Sequence, residues 1–155
     1  EIETTRDIAH QIVRHRSFSF QEFSQRYANP KEMGDMFEYA EARLQDTKNR
    51  QNSIPTENVQ LIHEWTDVQD EVIAATKKAY EWAIENGIAK EQARKVLPEG
   101  LTKTRLYMNG TIRSWIHYID LRGANGTQLE HMQIAHACAD AIAKIFPNIT
   151  NYTAE

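Results

Sequence analysis

Between Thr56 and Asn86 the chain repeats apolar residues at Leu61, Trp65, Val68, Val72, Ala75, Ala79 and Trp82, stepping alternately by fours and threes. Only a helix gathers such positions on one face, and Gly87 follows as its stop. An apolar stripe of this length needs a cover, either the protein's own core or a neighbouring subunit. Spacing of this kind also builds coiled coils, but alanines and tryptophans at the seam fit irregular globular packing better than regular knobs-into-holes.

The rest of the chain is mixed. From about Thr4 to Val13 the residues Ile8, Ala9, Ile12 and Val13 recur at helical spacing, and a helix there delivers Arg14 and Arg16 at its C-terminal end, where cations are tolerated. Phe18 and Phe20 alternate as in a strand, whereas Phe20, Phe23 and Tyr27 would line a helix. The extended reading is preferred; it projects Glu22, Ser24 and Arg26 from one face and Phe23, Gln25 and Tyr27 from the other. Tyr27 to Pro55 is polar and broken by Pro30, Gly34 and Pro55, with Asp46 to Ser53 reading as a mobile loop and candidate lid. Lys90 to Val96 forms a short helix before Pro98, Leu101 to Asn109 runs extended, and Asn109-Gly110 breaks it. Thr111 to Leu121 is a further helix with Ile112, Trp115, Ile116 and Ile119 on one face and Arg113, His117 and Asp120 on its polar side. The last helix opens on Thr127 to Glu130, read as a capping box, and ends before Pro147. The sum is an α+β chain, helix-rich, with helices packed on a small antiparallel or mixed sheet, forming a single domain over residues 1–155.

Composition narrows the function. Lys plus Arg is 18 against 22 for Asp plus Glu, a net charge of −4, which disfavours a protein that binds nucleic acid by neutralising many phosphates. Cys138 is the only cysteine, so no intrachain disulfide framework exists and a reducing, cytoplasmic setting is expected. Small apolar neighbours in HACADAIA mark it as a packed thiol. No run reaches the roughly 18 apolar residues of a membrane span, and the first residues, EIETTRD, lack the apolar core of a signal peptide. His10 and His15, or His131 and His136, are five apart, a spacing that no helix places on one face, so no metal site is expected.

One stretch stands apart from this ordinary background. Arg14 to Tyr27, RHRSFSFQEFSQRY, packs three arginines, a histidine, a carboxylate and four aromatics into fourteen positions. Guanidiniums that clamp phosphate beside rings that cover a flat group suit a ligand that is both planar and anionic. Arg14-His15-Arg16, seven residues, then Ser24-Gln25-Arg26 is the RHR-x7-SxR signature, and the chain resembles the flavin-dependent thymidylate synthases, the ThyX family. EQARKVLP (Glu91 to Pro98) and NGTIRSWIHYIDLRGANGTQLEH (Asn109 to His131) are similar to that family's two later blocks, in the same order. The likeness runs from about Arg6 to Phe146. Members usually carry several dozen residues ahead of this point, so the resemblance implies a chain apparently lacking the usual N-terminal region.

The resemblance implies a ThyX-like fold and an enzyme that converts dUMP to dTMP, taking the carbon from 5,10-methylenetetrahydrofolate, with FAD as hydride carrier and NADPH as reductant. It implies a homotetramer with sites between subunits. It places Arg14, His15, Arg16 and Glu22 at the flavin, with Thr111, Ile112, Arg113 and His117. It places Gln11, Arg14, Glu22, Phe23, Ser24, Gln25, Arg26 and Arg94 around the nucleotide, Ser24 and Arg26 at its phosphate, and Arg122 at the ionised N3 of the uracil ring, where it acts in catalysis without an enzyme nucleophile. The alternatives are a binding module of the same fold that has lost turnover, and a helical oligomerisation or RNA-binding protein.

Overall fold

Leu106 is fully buried at the centre of β5 (Lys103–Asn109), and both neighbouring strands register on it. The computed structural model describes residues 1–26 and 35–152. Its main sheet has the order β1-β5-β2, both pairings antiparallel. β1 (Ile2–Thr5) sets Ile2 opposite Leu106, and β2 (Ser19–Glu22) sets Glu22 opposite the same residue. Alternation in β5 explains why it is a strand: Thr104 and Leu106 are buried while Lys103, Arg105 and Tyr107 are not.

α1 (Arg6–Ile12) leaves β1 directly and lays Ile8, Ala9 and Ile12 against Leu106. The expected helix from Thr4 is therefore corrected at its start, because Ile2 and Thr4 alternate inward as strand residues before the period changes. β2 also ends sooner than the extended reading required. Phe23 N–H still donates to Arg105 C=O at 2.7 Å, but Gln25 and Arg26 form a turn. Glu22, Ser24 and Arg26 thus do not share one strand face; Tyr27 lies outside the described residues. Farther along the same edge of β5, Met36 to Glu38 take over the pairing, with Phe37 bridged to Thr102.

The segment Asp46 to Ser53, read as a loop, forms the tip of a hairpin that the sequence did not show, β3 (Arg43–Gln45) paired with β4 (Ser53–Pro55). Its tip is stitched by Asp46 Oδ1, which accepts from the N–H groups of Lys48 and Asn49, and by the Gln45 amide, which donates to the carbonyls of Asp46, Arg50 and Asn52. Pro55 is tolerated because it ends a two-stranded edge.

α2 (Val59–Glu85) begins at an Asn58 side-chain cap and ends before Gly87, whose φ of 74° is the left-handed conformation that glycine adopts without strain. The helix was legible; its buried face was not. Gln69, Ile73, Thr76, Tyr80 and Ala83 face inward, one residue on from the apolar stripe, while Val68 and Trp82 are 50% and 60% exposed. Gln69 is buried at little cost because its amide bonds both the N–H and C=O of Ala40. α3 (Lys90–Ala93) and the 3₁₀ turn Arg94–Val96 close this part of the core through Ala93 and Leu97.

α4 (Ile112–Gly123) and α5 (Leu129–Ala143) pack through Tyr118, Ile119, Ala135 and Ala139, and Ile149 in the last 3₁₀ turn (Pro147–Tyr152) joins them. The expected capping box fails: Gln128 is the cap residue and its side chain makes no capping bond to the helix, and Glu130 pairs with Arg43. Gly110, between β5 and α4, has no room for a side chain. A Cβ there would collide with the Phe18 ring, which packs edge-on against Trp115 at 4.9 Å. Gly110→Ala is expected to destabilise by about 1–3 kcal/mol, the usual effect of overpacking, measured by urea unfolding; an unchanged midpoint would mean that the ring yields freely.

Candidate functional site

The last turn of α1 hands the chain to the arginine-rich segment through a tight reversal, Arg14 N–H bonding Gln11 C=O and His15 N–H bonding Ile12 C=O. This leaves Arg14 and Arg16 exposed and turns His15 inward, edge-on to Tyr118 of α4 with ring centroids 5.0 Å apart. From the last turn of α4, Arg122 Nε donates to His15 Nε2 at 2.9 Å, joining residues 107 apart in sequence. The guanidinium fixes the imidazole: Nε2 accepts, so Nδ1 carries the proton. Burial, and then the charge of Arg122, hold the His15 pKa below its ordinary value.

Arg14, Gln11 and Arg122 share a cleft of about 390 Å³ with Asp7, His10 and Glu99. Behind it lies a buried residue that sequence reasoning missed. His131, fully buried on α5, has Nδ1 3.2 Å from Gln11 Oε1 and Nε2 3.1 Å from the Tyr118 hydroxyl. In sequence its only evident partner is His136, five residues on. Its signal was the series His131, Ala135, Ala139, which steps by fours along the inner face of α5.

The other expected site residues fall into separate groups. Glu22 Oε1 accepts from Arg6 Nη1 at 3.0 Å and from the Thr104 hydroxyl at 2.9 Å, so this carboxylate is also a structural anchor. Arg26 lies 3.7 Å from Glu91, which brings the Ser24-Gln25-Arg26 turn to α3 and the adjoining Arg94. Phe23 and Ser24 are half-buried at the end of β2. Gln25 is 3% exposed and its Nε2 has no partner among the described residues. Thr111 caps α4, accepting from Ser114 N–H at 3.2 Å, with Ile112, Arg113 and His117 exposed on that helix. None of these four lines the Gln11–Arg122 cleft.

The donor set suits an anionic, ring-bearing ligand. Arg14, Arg16 and Arg113 are exposed and form no ion pair with the described residues, and the Gln25 amide is a buried donor in want of an acceptor. Acidic or histidine clusters able to hold a metal are absent among the described residues, and no described helix is long and apolar enough to cross a membrane.

The neutral site has a consequence for stability. Burial pushes the His131 pKa down to about 4, with Arg122 and His15 adding to the fall. The unfolded chain binds a proton at about 6.5 and the folded one resists it, so stability is complete above 6.5 and is lost as pH falls toward 4. The full difference is about 3 kcal/mol at 1.4 kcal/mol per pH unit. Urea unfolding at pH 4.5 and 7 is expected to show this loss, and His131→Asn to remove most of it; equal losses in both proteins would place the pH dependence elsewhere.

Known proteins resemble this chain over nearly all its length. The family model described as "Thymidylate synthase complementing protein" matches residues 1–148. A protein of Paramecium bursaria Chlorella virus 1 named probable flavin-dependent thymidylate synthase is 50% identical over 149 residues, 96% of this chain and 67% of that protein. The flavin-dependent thymidylate synthase of Synechocystis is 49% identical over the same shares. In backbone, a UMP/dUMP methylase, PolB from Streptomyces cacaoi, superposes with a TM-score of 0.79 at 24% identity, covering 92% of this chain and 66% of PolB. With its arginine-rich turn meeting Arg122 across a shared cleft, this chain belongs to the thymidylate synthase complementing protein family, that of the flavin-dependent thymidylate synthases.

Proposed function

We propose that residues 1–155 act as one domain that reductively methylates dUMP to dTMP, with 5,10-methylenetetrahydrofolate as carbon donor and NADPH as reductant. The observation that carries this reading is the Arg122–His15 contact beside Arg14 and Gln11, which gathers the arginine-rich motif and the last motif at one cleft. FAD, when bound, supplies the hydride chemistry. Arg14, His15, Arg16 and Glu22, with Thr111, Ile112, Arg113 and His117, would hold it. Ser24 and Arg26 would take the nucleotide phosphate, with Phe23, Gln25 and Arg94 around it. Arg122 would stabilise negative charge on the uracil ring, since its planar guanidinium is held by a neutral imidazole that does not compete for it.

The spread of these residues into separate groups supports sites shared between subunits of a homotetramer, and the exposed apolar stripe of α2 at Trp65, Val68, Val72 and Trp82 supplies a face for such contacts. The test is direct: the purified protein is expected to show flavin absorbance and to form dTMP from dUMP only when folate and NADPH are both present. A colourless protein without dTMP formation would overturn the reading.

The surroundings of Cys138 argue against its serving as the nucleophile. It is packed between α1, the sheet and α4, and burial pushes its thiol up to about 11, far from the thiolate that attack on uracil requires. Cys138→Ser is expected to retain at least about half of the turnover, with a stability loss of about 1–2 kcal/mol for a hydroxyl in an apolar place. Complete loss of activity in the folded variant would restore a covalent mechanism.

A further inference from the structure

Tyr118, His131, Gln11 and Gln128 form a chain of hydrogen bonds that runs from the core to the surface. The Tyr118 hydroxyl is buried, and among the described residues its hydrogen-bond contact is His131 Nε2 at 3.1 Å. A buried hydroxyl proton needs an acceptor, so Nε2 must offer its lone pair and the proton of the neutral imidazole must sit on Nδ1. Nδ1–H then donates to Gln11 Oε1 at 3.2 Å. With its oxygen engaged inward, the Gln11 amide can only turn its NH₂ group outward, where it donates to Gln128 Oε1 at 2.7 Å in an exposed position.

Each link sets the polarity of the next. Reversing Gln11 would oppose its NH₂ to Nδ1–H, donor against donor, or would force the imidazole into its other tautomer and strand the Tyr118 proton. Charge keeps the ring neutral as well: Arg122 and His15 both face it and disfavour an imidazolium.

We propose that His131, held by Tyr118, is a positioning residue that fixes Gln11 as an outward-pointing donor at the Arg14–Arg122 cleft, so that the site accepts an oxygen of the bound nucleotide at that point. This rests on the reading of the cleft as the dUMP site. The bound nucleotide takes the place of Gln128 as the acceptor, and Gln11 needs no reorientation to receive it.

Two substitutions separate this role from mere packing. An asparagine amide overlays imidazole Nδ1, whereas a glutamine amide overlays Nε2. His131→Asn keeps the donor to Gln11 and gives up the Tyr118 contact; His131→Gln does the reverse. With comparable losses in melting temperature, His131→Gln is expected to raise the KM for dUMP about tenfold with kcat within about twofold, while His131→Asn returns KM to within about threefold of the original, the scale of one hydrogen bond. Equal KM values in the two variants would overturn the proposal. Should His131→Gln fail to fold, Tyr118→Phe serves in its place, with an intermediate rise in KM expected and an unchanged KM counting against the role.

A readout independent of dUMP is the ¹⁵N–¹H correlation pattern of the His131 ring at pH 7 in the full chain. Protonated Nδ1 is expected; a ring protonated at Nε2, or doubly protonated, overturns the proposal. A protein with the expected ring pattern that does not bind dUMP would instead refute the assignment of the cleft, leaving the fixed polarity of Gln11 standing.

Discussion

Arg122→Lys is expected to lower turnover about tenfold or more at saturating dUMP, because a point ammonium does not reproduce a planar guanidinium. Two features make the position sensitive. Nε is already committed to His15 at 2.9 Å, so the terminal nitrogens are aimed by that bond and not by chance. Arg122 also sits in the last turn of α4, which ends at Gly123 before its cap at Ala124, so its backbone is fixed while its side chain reaches over the cleft. Charge that grows on the uracil during reaction is stabilised more in the transition state than in the bound substrate, and such an interaction appears in kcat. Arg26 provides the contrast. On the proposed contact with the phosphate, whose charge does not change during reaction, Arg26→Lys is expected to raise the KM for dUMP and leave kcat nearly alone. Steady-state kinetics on both variants, each checked for bound flavin, decide the matter. If Arg122→Lys altered KM alone, Arg122 would be a further anion clamp.

The sequence carried this pairing only in part. The motif Arg14-His15-Arg16 and the later block containing Arg122 were both recognisable, yet that they touch is a tertiary fact 107 residues long. His131 was invisible as a functional residue because its meaning lies in Gln11 and Tyr118, on two other helices. α2 shows the same division. Its period and its Gly87 stop announced a helix, but the face it buries includes Gln69 and Thr76, polar residues that apolar periodicity skips. Gln69 is at home there only because Ala40 supplies both halves of a backbone partner. β1 escaped for another reason: four residues are too few to show a period, and the strand that completes them begins at Lys103. The loop beyond Asp46 was legible, but β3 and β4 on either side of it were not, because they are three residues each and mostly exposed, and the order of the tip comes from Asp46 and Gln45 bonding backbone groups.

Leu106→Ala is expected to destabilise the protein by about 3 kcal/mol, within the range for a fully buried leucine, and to lower Tm by about 10 °C. Leu106 has no exposed surface and contacts the only buried face of α1, at Ile8, Ala9 and Ile12. The same residue stands opposite Ile2 and Glu22, so the strands on both sides of β5 meet at it. A cavity there cannot be filled by sliding one strand, since a shift of one residue would turn Thr104 and Leu106 outward. The damage should also reach the site. α1 carries Gln11 and leads into Arg14 and His15, and β2 carries Glu22; both are seated on this side chain. Leu106→Met, which nearly conserves volume, is expected to cost less than about 1.5 kcal/mol. Urea unfolding of the two variants at one protein concentration makes the comparison. If both lost the same small amount, β5 would be held by its backbone ladder, and the positions of Gln11 and Glu22 would not depend on packing at Leu106.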